Sequence, residues 1–381
     1  MKQWFLRGGL CKLAKKRILQ IITRSDWAGG QKVLYSLVYG IKKYYNKDFE
    51  VEVACGSENG MLLPELEKIG IKYYIVKDLV REISPIKDLK AYFQIKKIIE
   101  KGNYDVVHVH SSKAGCLGRL AAKKLGVKNV IYTIHGWWPI EQYEDLKRKL
   151  FINAERFAAK YCDKLVFLCE RDLRKARSWK IGLEEQYTII HNAIIPIANI
   201  KKGKLRKELN LSADIKIIGN VARLDPPKNP IRFLKVAKEI LKERNDVVFV
   251  WIGGSIVDDK YGKEVENFLE SNEELKKKVY FLPFRKDAIE LMADFDVFLL
   301  TSDAEGMPLV ILEAMNLGIP VISTGVGCMS EIREIKISNC ERMLAKYVLE
   351  LFDNSIIRSN YLNQNYYFKF LKKYVNLYLN Q

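Results

Sequence analysis

The sequence predicts an α/β protein built from two Rossmann-like domains, each a doubly wound parallel sheet, facing one another across a cleft. Three observations carry this. At 381 residues the chain exceeds what one hydrophobic core ordinarily serves. Short continuous apolar runs alternate with longer amphipathic stretches, the pattern of strands buried on both faces and the helices that cover them. The alternation also runs twice, broken at residues 194–200, where Pro196 interrupts it.

The first series opens with an apolar run at 18–23, then Ser25-Asp26-Trp27-Ala28-Gly29-Gly30 and a helical stretch over 31–45. A strand at 51–54, a helix at 62–69 and a strand at 73–76 follow. Ser84-Pro85 reads as an N-cap followed by proline at the first helical position. The helix it opens carries Ile86, Leu89, Phe93 and Ile98 and stops at Gly102. Next come a strand at 106–109, a helix at 115–125 and a strand at 130–133 running into His135-Gly136. A long helix to about residue 161 then leads to strands at 164–168 and 188–190. The second series places strands at 215–221, 247–252, 279–282, 297–300 and 321–323. Helices at 230–243, 262–272, 287–293 and 308–317 lie between them, and helices at 342–351 and 366–379 close the chain. The expected domains are 1–195 and 196–365, with 366–381 a C-terminal helix returning to the first domain. In tandem, two such sheets bring the carboxyl ends of their strands, where ligands bind, to a shared cleft. That favours an enzyme with two substrates.

Composition narrows the class. Hydrophobic residues at 48% and charged residues at 29% make a globular balance. No apolar run approaches the roughly 18–20 residues needed to cross a bilayer. No signal peptide is read, because the basic cluster of Lys12, Lys15, Lys16 and Arg17 follows the first apolar stretch. The seven cysteines form no CxxC pair, so neither a zinc site nor a disulfide framework is indicated, and a reducing, cytoplasmic compartment fits. The net charge of +18 admits attraction to anionic membranes or diphosphates, or simply a lysine-rich solvated surface. No nucleic-acid-binding motif accompanies it.

The sharpest local signal is Ala304-Glu305-Gly306-Met307-Pro308-Leu309-Val310-Ile311-Leu312-Glu313-Ala314-Met315, followed by Gly318-Ile319-Pro320. Pro308 is read as starting a helix that Gly318 ends. A helix N-terminus offers free N–H groups and partial positive charge to a diphosphate, and carboxylates beside it can accept hydrogen bonds from sugar hydroxyls. Glu305 lies in the entering loop and Glu313 about one and a half turns inside. Arg223 and Lys228 follow the strand at 215–221, where cations can neutralise a departing nucleoside diphosphate. Gly29 and Gly30, in a loop between a strand and a helix, permit close approach of a ligand to backbone N–H groups. No GxGxxG fingerprint is present, which argues against a dehydrogenase.

This string resembles the signature of the retaining glycosyltransferases of family 4, of the GT-B fold, in which two glutamates are separated by seven residues. The resemblance implies that Glu305 contacts the donor sugar and Glu313 the ribose, with Gly306, Pro308 and Leu309 in the same donor-binding segment. Gly219-Asn220-Val221-Ala222-Arg223-Leu224 with Lys228 is similar to the family's diphosphate-holding segment. Tyr132-Thr133-Ile134-His135-Gly136-Trp137 is similar to its T-x-H-G-W turn, which implies that His135 reaches the donor sugar near the reacting carbon. The Gly29-Gly30 pair would face the donor phosphates and the acceptor. The implied function is retaining transfer of a sugar from a nucleotide sugar, a UDP-hexose or UDP-N-acetylhexosamine, to a bacterial surface glycan. The acceptor would be a glycan or a polyprenyl-diphosphate-saccharide. No cofactor and no metal are expected, the nucleotide sugar being a substrate, and no nucleic acid is a partner. The protein is expected in the cytoplasm, with contact to the inner membrane surface.

Three departures from the family pattern stand out. Residues 1–15 precede the usual start and read either as a membrane-surface amphipathic helix or as an extended beginning. Asn192-Ala193-Ile194 stands where the family has Asn-Gly-Ile, which matters if that position needs positive φ. After Ile332 the family's turn and further strand look deleted, since the chain passes to Arg333-Glu334-Ile335 and a helix. That deletion motivates a rival reading, an impaired paralogue that binds nucleotide or glycan without turnover. An epimerase of the same fold, or a glycoside hydrolase with opposed carboxylates, fits the glutamate string less well.

Overall fold

A computed structural model describes residues 14–56, 60–198, 200–254, 260–353 and 364–379. The amphipathic stretch read at residues 1–15 therefore lies almost wholly outside the described residues.

Two all-parallel sheets organise the chain. The first takes β1 (Lys16–Ile22), β2 (Phe49–Gly56), β3 (Tyr73–Val76), β4 (Val106–His110), β5 (Asn129–Ile134), β6 (Lys164–Phe167) and β7 (Tyr187–Ile189), in the order β3-β2-β1-β4-β5-β6-β7. The second takes β8 (Lys216–Val221), β9 (Val247–Ile252), β10 (Val279–Leu282), β11 (Val297–Leu300), β12 (Val321–Ser323) and β13 (Lys336–Ile337), in the order β10-β9-β8-β11-β12-β13. In each, the first strand is central and the order reverses beside it, between β1 and β4 and between β8 and β11. The strand-end loops at such a switch point are where ligands settle in open α/β sheets. Burial explains the apolar runs: β9, Val247–Ile252, is buried throughout, as a central parallel strand covered on both faces must be.

The core is continuous between the domains. One apolar cluster runs from the helix Gly29–Tyr44, with Leu34, Leu37 and Ile41, through the C-terminal helix Gln364–Leu379 to Met307, Leu309 and Leu312 of the second domain. That C-terminal helix buries Tyr367, Phe370, Leu371, Tyr374, Val375 and Tyr378, and Tyr367 donates from its hydroxyl to the Ser36 carbonyl at 2.5 Å.

Several expectations need correction. The element that looked deleted is present in abbreviated form: Lys336 and Ile337 pair in parallel with Ile322 and Ser323 of β12. Two residues carry no apolar run, so the pattern could not reveal this edge strand. The long helix expected up to residue 161 is two helices, Trp138–Glu141 and Asp145–Ala159; Trp137 and Ile140 are buried and draw the first turn into the core. Gly29 and Gly30 are not in a loop but are the first two residues of their helix, after Ala28. Pro308 caps the helix Leu309–Asn316 in an extended conformation rather than starting it. Ala193 is buried and absent from the positive-φ positions, so alanine there costs no backbone strain.

Candidate functional site

The second domain builds its share of the site from the loops after β8 and β11. Pro226 to Lys228 form a single 3-10 turn, and Asn229, at φ 48°, begins the helix Pro230–Leu241 by accepting from the Arg232 N–H. Side chains then stitch this loop to the next one. The Asn229 amide donates to Asp303 at 2.8 Å, the Asp303 N–H donates to the Pro227 carbonyl at 2.8 Å, and the Thr301 hydroxyl meets the Lys228 and Asn229 carbonyls. The result sets Lys228 Nζ 2.6 Å from Glu305 Oε1, which also accepts from the Ser302 hydroxyl at 2.8 Å. Charge-assisted bonds of this length fix a carboxylate firmly. Arg223 leaves β8 on the same loop but is 76% exposed and pairs with Asp225 at 2.8 Å.

Glu313 is the fifth residue of the helix Leu309–Asn316 and is buried. Its partner comes from the other domain: Lys32 Nζ lies 3.0 Å from Glu313 Oε1. Lys32 stands in the first turn of the helix Gly29–Tyr44, which has no acidic residue there. A cation at a helix N-terminus opposes the macrodipole, and Glu313 supplies the compensating charge.

The first domain contributes His135 and Gly136 at the end of β5. A side-chain carbon at Gly30 would sit 3.6 Å from the His135 ring, so the helix start and the imidazole are neighbours. Gly136, at φ 118°, would place one 3.3 Å from the Gly306 Cα, and one on Gly306 would come 2.6 Å from the His135 carbonyl oxygen. The two domains thus meet backbone to backbone, with glycine on both sides: at Gly306 a side chain has no room, and at Gly136 the positive φ disfavours one. On the same seam, Asn192 donates from its side-chain amide to the Met307 carbonyl at 3.1 Å. Glu331 accepts from the Glu170 N–H at 2.9 Å and meets His191 at 3.2 Å.

His135 Nε2 lies 3.1 Å from His110 Nδ1. Burial lowers the His135 pKa to about 4 and that of His108 to about 3, with His135 nearby as the lesser cause. His110 is lowered well below its ordinary value, first by burial and then by its two imidazole neighbours. All three rings are therefore neutral at pH 7. Among the described residues, no group of three His, Cys, Asp or Glu side chains is arranged to hold a metal ion.

Comparison with known proteins places this geometry. Residues 27–196 match the model "Glycosyltransferase Family 4", and residues 201–365 match "Glycosyl transferases group 1". The UDP-Gal:alpha-D-GlcNAc-diphosphoundecaprenol alpha-1,3-galactosyltransferase of Escherichia coli is 35% identical over 301 residues, covering 74% of this chain and 73% of that one. The chain belongs to glycosyltransferase family 4. Another relative of this transferase is the N,N'-diacetylbacillosaminyl-diphospho-undecaprenol alpha-1,3-N-acetylgalactosaminyltransferase of Campylobacter jejuni, 27% identical over 283 residues, 70% of this chain and 72% of that one. Among solved structures, Anabaena HepE in complex with UDP and glucose superposes with a TM-score of 0.78 at 18% identity, covering 95% of this chain and 98% of that one. The fold is thus GT-B, and the protein is a glycosyltransferase of the hexosyltransferase type.

Within the transferase, the structure brings some of the residues singled out by sequence together and leaves others apart. Lys228 and Glu305 bond directly, while His135 is approached by Gly30 within its own domain and by Gly306 across the domain seam. Glu313 is bonded to Lys32, and Gly29 opens the helix that carries Lys32, with open space around it. Leu309 is buried in the core, so any ligand contact there belongs to its backbone, and Pro308 is the cap before it. Arg223 reaches out to solvent. Sequence reasoning missed Lys32 and Ser302. The lysine was detectable in principle as a cation in a helical first turn that lacks an acidic residue.

Proposed function

We propose that this transferase takes a hexose or N-acetylhexosamine from a UDP donor and places it, with retention at the anomeric carbon, on a lipid-linked saccharide of a bacterial surface glycan. The observation that carries this reading is the pairing of Lys228 with Glu305 at 2.6 Å directly beside the Gly306 contact with His135 and Gly136. In the proposal Lys228, with Arg223 swinging in from solvent, neutralises the diphosphate, and the helix start at Leu309 adds its free N–H groups. Glu305 holds the sugar and Glu313 the ribose, once Lys32 yields its place or joins the phosphates. His135 stands by the anomeric carbon, and Gly29 and Gly30 admit the phosphates or acceptor near the helix start.

The bond from the anomeric carbon to the diphosphate oxygen breaks as the acceptor hydroxyl bonds to the same face. The acceptor's proton goes to the departing phosphate oxygen, so charge and atoms balance without another base. Lys228, already held at the site, and Arg223, once recruited from solvent, stabilise the developing charge. We take the reaction to be metal-independent, because Lys228 and Arg223 supply the neutralising charge. Activity unchanged by EDTA is the expected result. The lipid-linked acceptor is favoured by the two relatives, each named for a diphosphoundecaprenol substrate.

An acceptor anchored in a membrane requires the enzyme to approach one. No helix among the described residues is long and apolar enough to cross a bilayer. The first domain instead exposes Ile86, Leu89 and Phe93 on one helix and Leu146 and Leu150 on another, interspersed with exposed Lys87, Lys90, Lys147 and Lys149. Apolar side chains among lysines suit an anionic membrane surface, and cosedimentation with anionic but not zwitterionic vesicles is expected. The rival reading of an impaired paralogue drew on a missing strand, and β13 stands at that place; sustained UDP release with acceptor present would exclude it.

The decisive experiment follows UDP release and product linkage with UDP-galactose, UDP-glucose and their N-acetyl counterparts on a diphosphoundecaprenol-saccharide acceptor. Glu305→Ala and Lys228→Ala should each lose turnover, and the product should keep the donor's α-configuration. Wild-type transfer by both variants, or an inverted product, refutes the assignment.

A further inference from the structure

A chain of buried polar side chains ties the C-terminal helix to His135, although the helix lies at the far end of the sequence. Starting from that helix, Tyr374 Oη lies 3.1 Å from Thr133 Oγ1, which lies 2.8 Å from His108 Nε2. His108 Nδ1 is 2.8 Å from Tyr378 Oη. The Gln20 amide donates to that same phenol oxygen at 3.0 Å, and Gln20 Oε1 is 2.9 Å from His110 Nε2. His110 Nδ1 then meets His135 Nε2 at 3.1 Å. Gln20, His108, His110, Thr133, Tyr374 and Tyr378 are all fully buried. Central parallel strands are ordinarily apolar, so polar residues at adjacent positions of β1, β4 and β5 call for an explanation.

Proton counting gives each link a direction. An amide oxygen cannot donate, so His110 Nε2 must carry the hydrogen that Gln20 Oε1 accepts. A neutral imidazole has one N–H, which leaves His110 Nδ1 an acceptor. His135 Nε2 must then be the donor. On the other side, Tyr378 accepts from Gln20 and so gives its own hydrogen to His108 Nδ1, and His108 Nε2–H donates to Thr133. The links from Thr133 through His108, Tyr378, Gln20 and His110 to His135 thus take one consistent set of directions, with Gln20 as the point where the two arms diverge. Between Thr133 and Tyr374 either oxygen can donate.

We propose that Gln20, His110 and Tyr378 are positioning residues that hold His135 in its Nε2–H tautomer, so that the returning C-terminal helix sets the state of the donor-side histidine. The consequence for transfer rests on the reading above that His135 works at the donor sugar; the tautomer itself does not. With Nε2–H committed to His110, His135 keeps Nδ1 as an acceptor nitrogen and its ring plane is fixed. Which nitrogen of a histidine is protonated follows from the bonds its ring makes, and here the amide oxygen of Gln20 sets that choice for His110 and through it for His135.

The test uses the full chain labelled with 15N-histidine, whose four histidines give a tractable spectrum. The wild type should show His135 as the Nε2–H tautomer. Gln20→Leu and Tyr378→Phe should each convert it to a mixture and lower kcat about tenfold, the rate equivalent of one lost hydrogen bond, with KM for the UDP-sugar nearly unchanged. Tyr374→Phe, at the remote end, should leave the His135 spectrum as it is. Should Gln20→Leu fail to fold, Tyr378→Phe keeps the question open to measurement, because it removes one oxygen from an otherwise retained ring. An Nδ1–H tautomer in the wild type, or an unchanged His135 spectrum in both variants, overturns the proposal. Full activity in His135→Ala would sink the donor-side role of His135 and leave the tautomer result standing separately.

Discussion

On the function proposed above, the close approach of Gly306 to the His135 carbonyl makes transfer depend on a single missing methyl group. In Gly306→Ala the new carbon would lie 2.6 Å from that oxygen, and ordinary contact begins at 3.4 Å, so the two domains must separate locally by about 0.8 Å. Neither partner can yield alone: the Gly306 carbonyl accepts from the Cys328 N–H at 3.0 Å, and the neighbouring Glu305 is held by Lys228 and Ser302. A displacement near 1 Å between reacting groups costs on the order of 100-fold in rate, or about 2.7 kcal/mol of barrier. Gly306→Ala should therefore lose roughly 10- to 100-fold in kcat/KM, while each domain keeps its core and the melting temperature changes little. The assay is initial-rate UDP release over a range of donor concentrations, beside a thermal melt. A variant with wild-type kcat/KM would refute the claim that this seam sets the distance between His135 and Glu305.

Three further outcomes are expected. Gly29→Ala has open space and replaces a helical glycine, so unfolding by denaturant should show stability kept or raised by up to about 1 kcal/mol. A raised KM for the UDP-sugar should accompany it if phosphates approach there, and an unchanged KM would remove Gly29 from the donor site. Deleting residues 364–381 strips six large buried side chains; at roughly 1.5–3 kcal/mol each their loss rivals the total stability of about 5–15 kcal/mol. The shortened chain should be insoluble or molten by circular dichroism, and a wild-type melt would contradict the estimate. Finally, stability should fall as pH drops from 6.5 toward 4. His108, His110 and His135 stay neutral when folded but protonate when unfolded, each giving a slope of about 1.4 kcal/mol per pH unit. Asp172, raised to about 6 chiefly by burial, opposes this with one proton, which leaves a net loss on acidification. Urea midpoints that are flat or rising between pH 6.5 and 5 would show that these rings are protonated in the native state.

Much of the fold was legible because buried parallel strands cannot hide their composition. Runs such as those forming β9 and β11 are apolar throughout, and each lies where the pattern put it. The edge strand β13 escaped because two residues at a sheet margin need no such run. The break between Trp138–Glu141 and Asp145–Ala159 escaped for a related reason: the burial of Trp137 and Ile140, not any local breaker, turns the chain. The glutamate string, the histidine-glycine turn and the loop cations were each visible as local motifs.

What the sequence determined by itself was therefore everything with a short period or a short span: strand and helix character, the doubled alternation and the residue types carried by each loop. The tertiary structure alone decided which of these meet. It bonded Lys228 rather than Arg223 to Glu305, brought Lys32 across to Glu313 over 281 residues of separation, and linked Tyr378 to Gln20 across 358. The physical reason is that hydrophobic periodicity records only how much of a residue is hidden from water. The choice of polar partner is made by distance and proton count once the two domains and the returning helix have closed around one another.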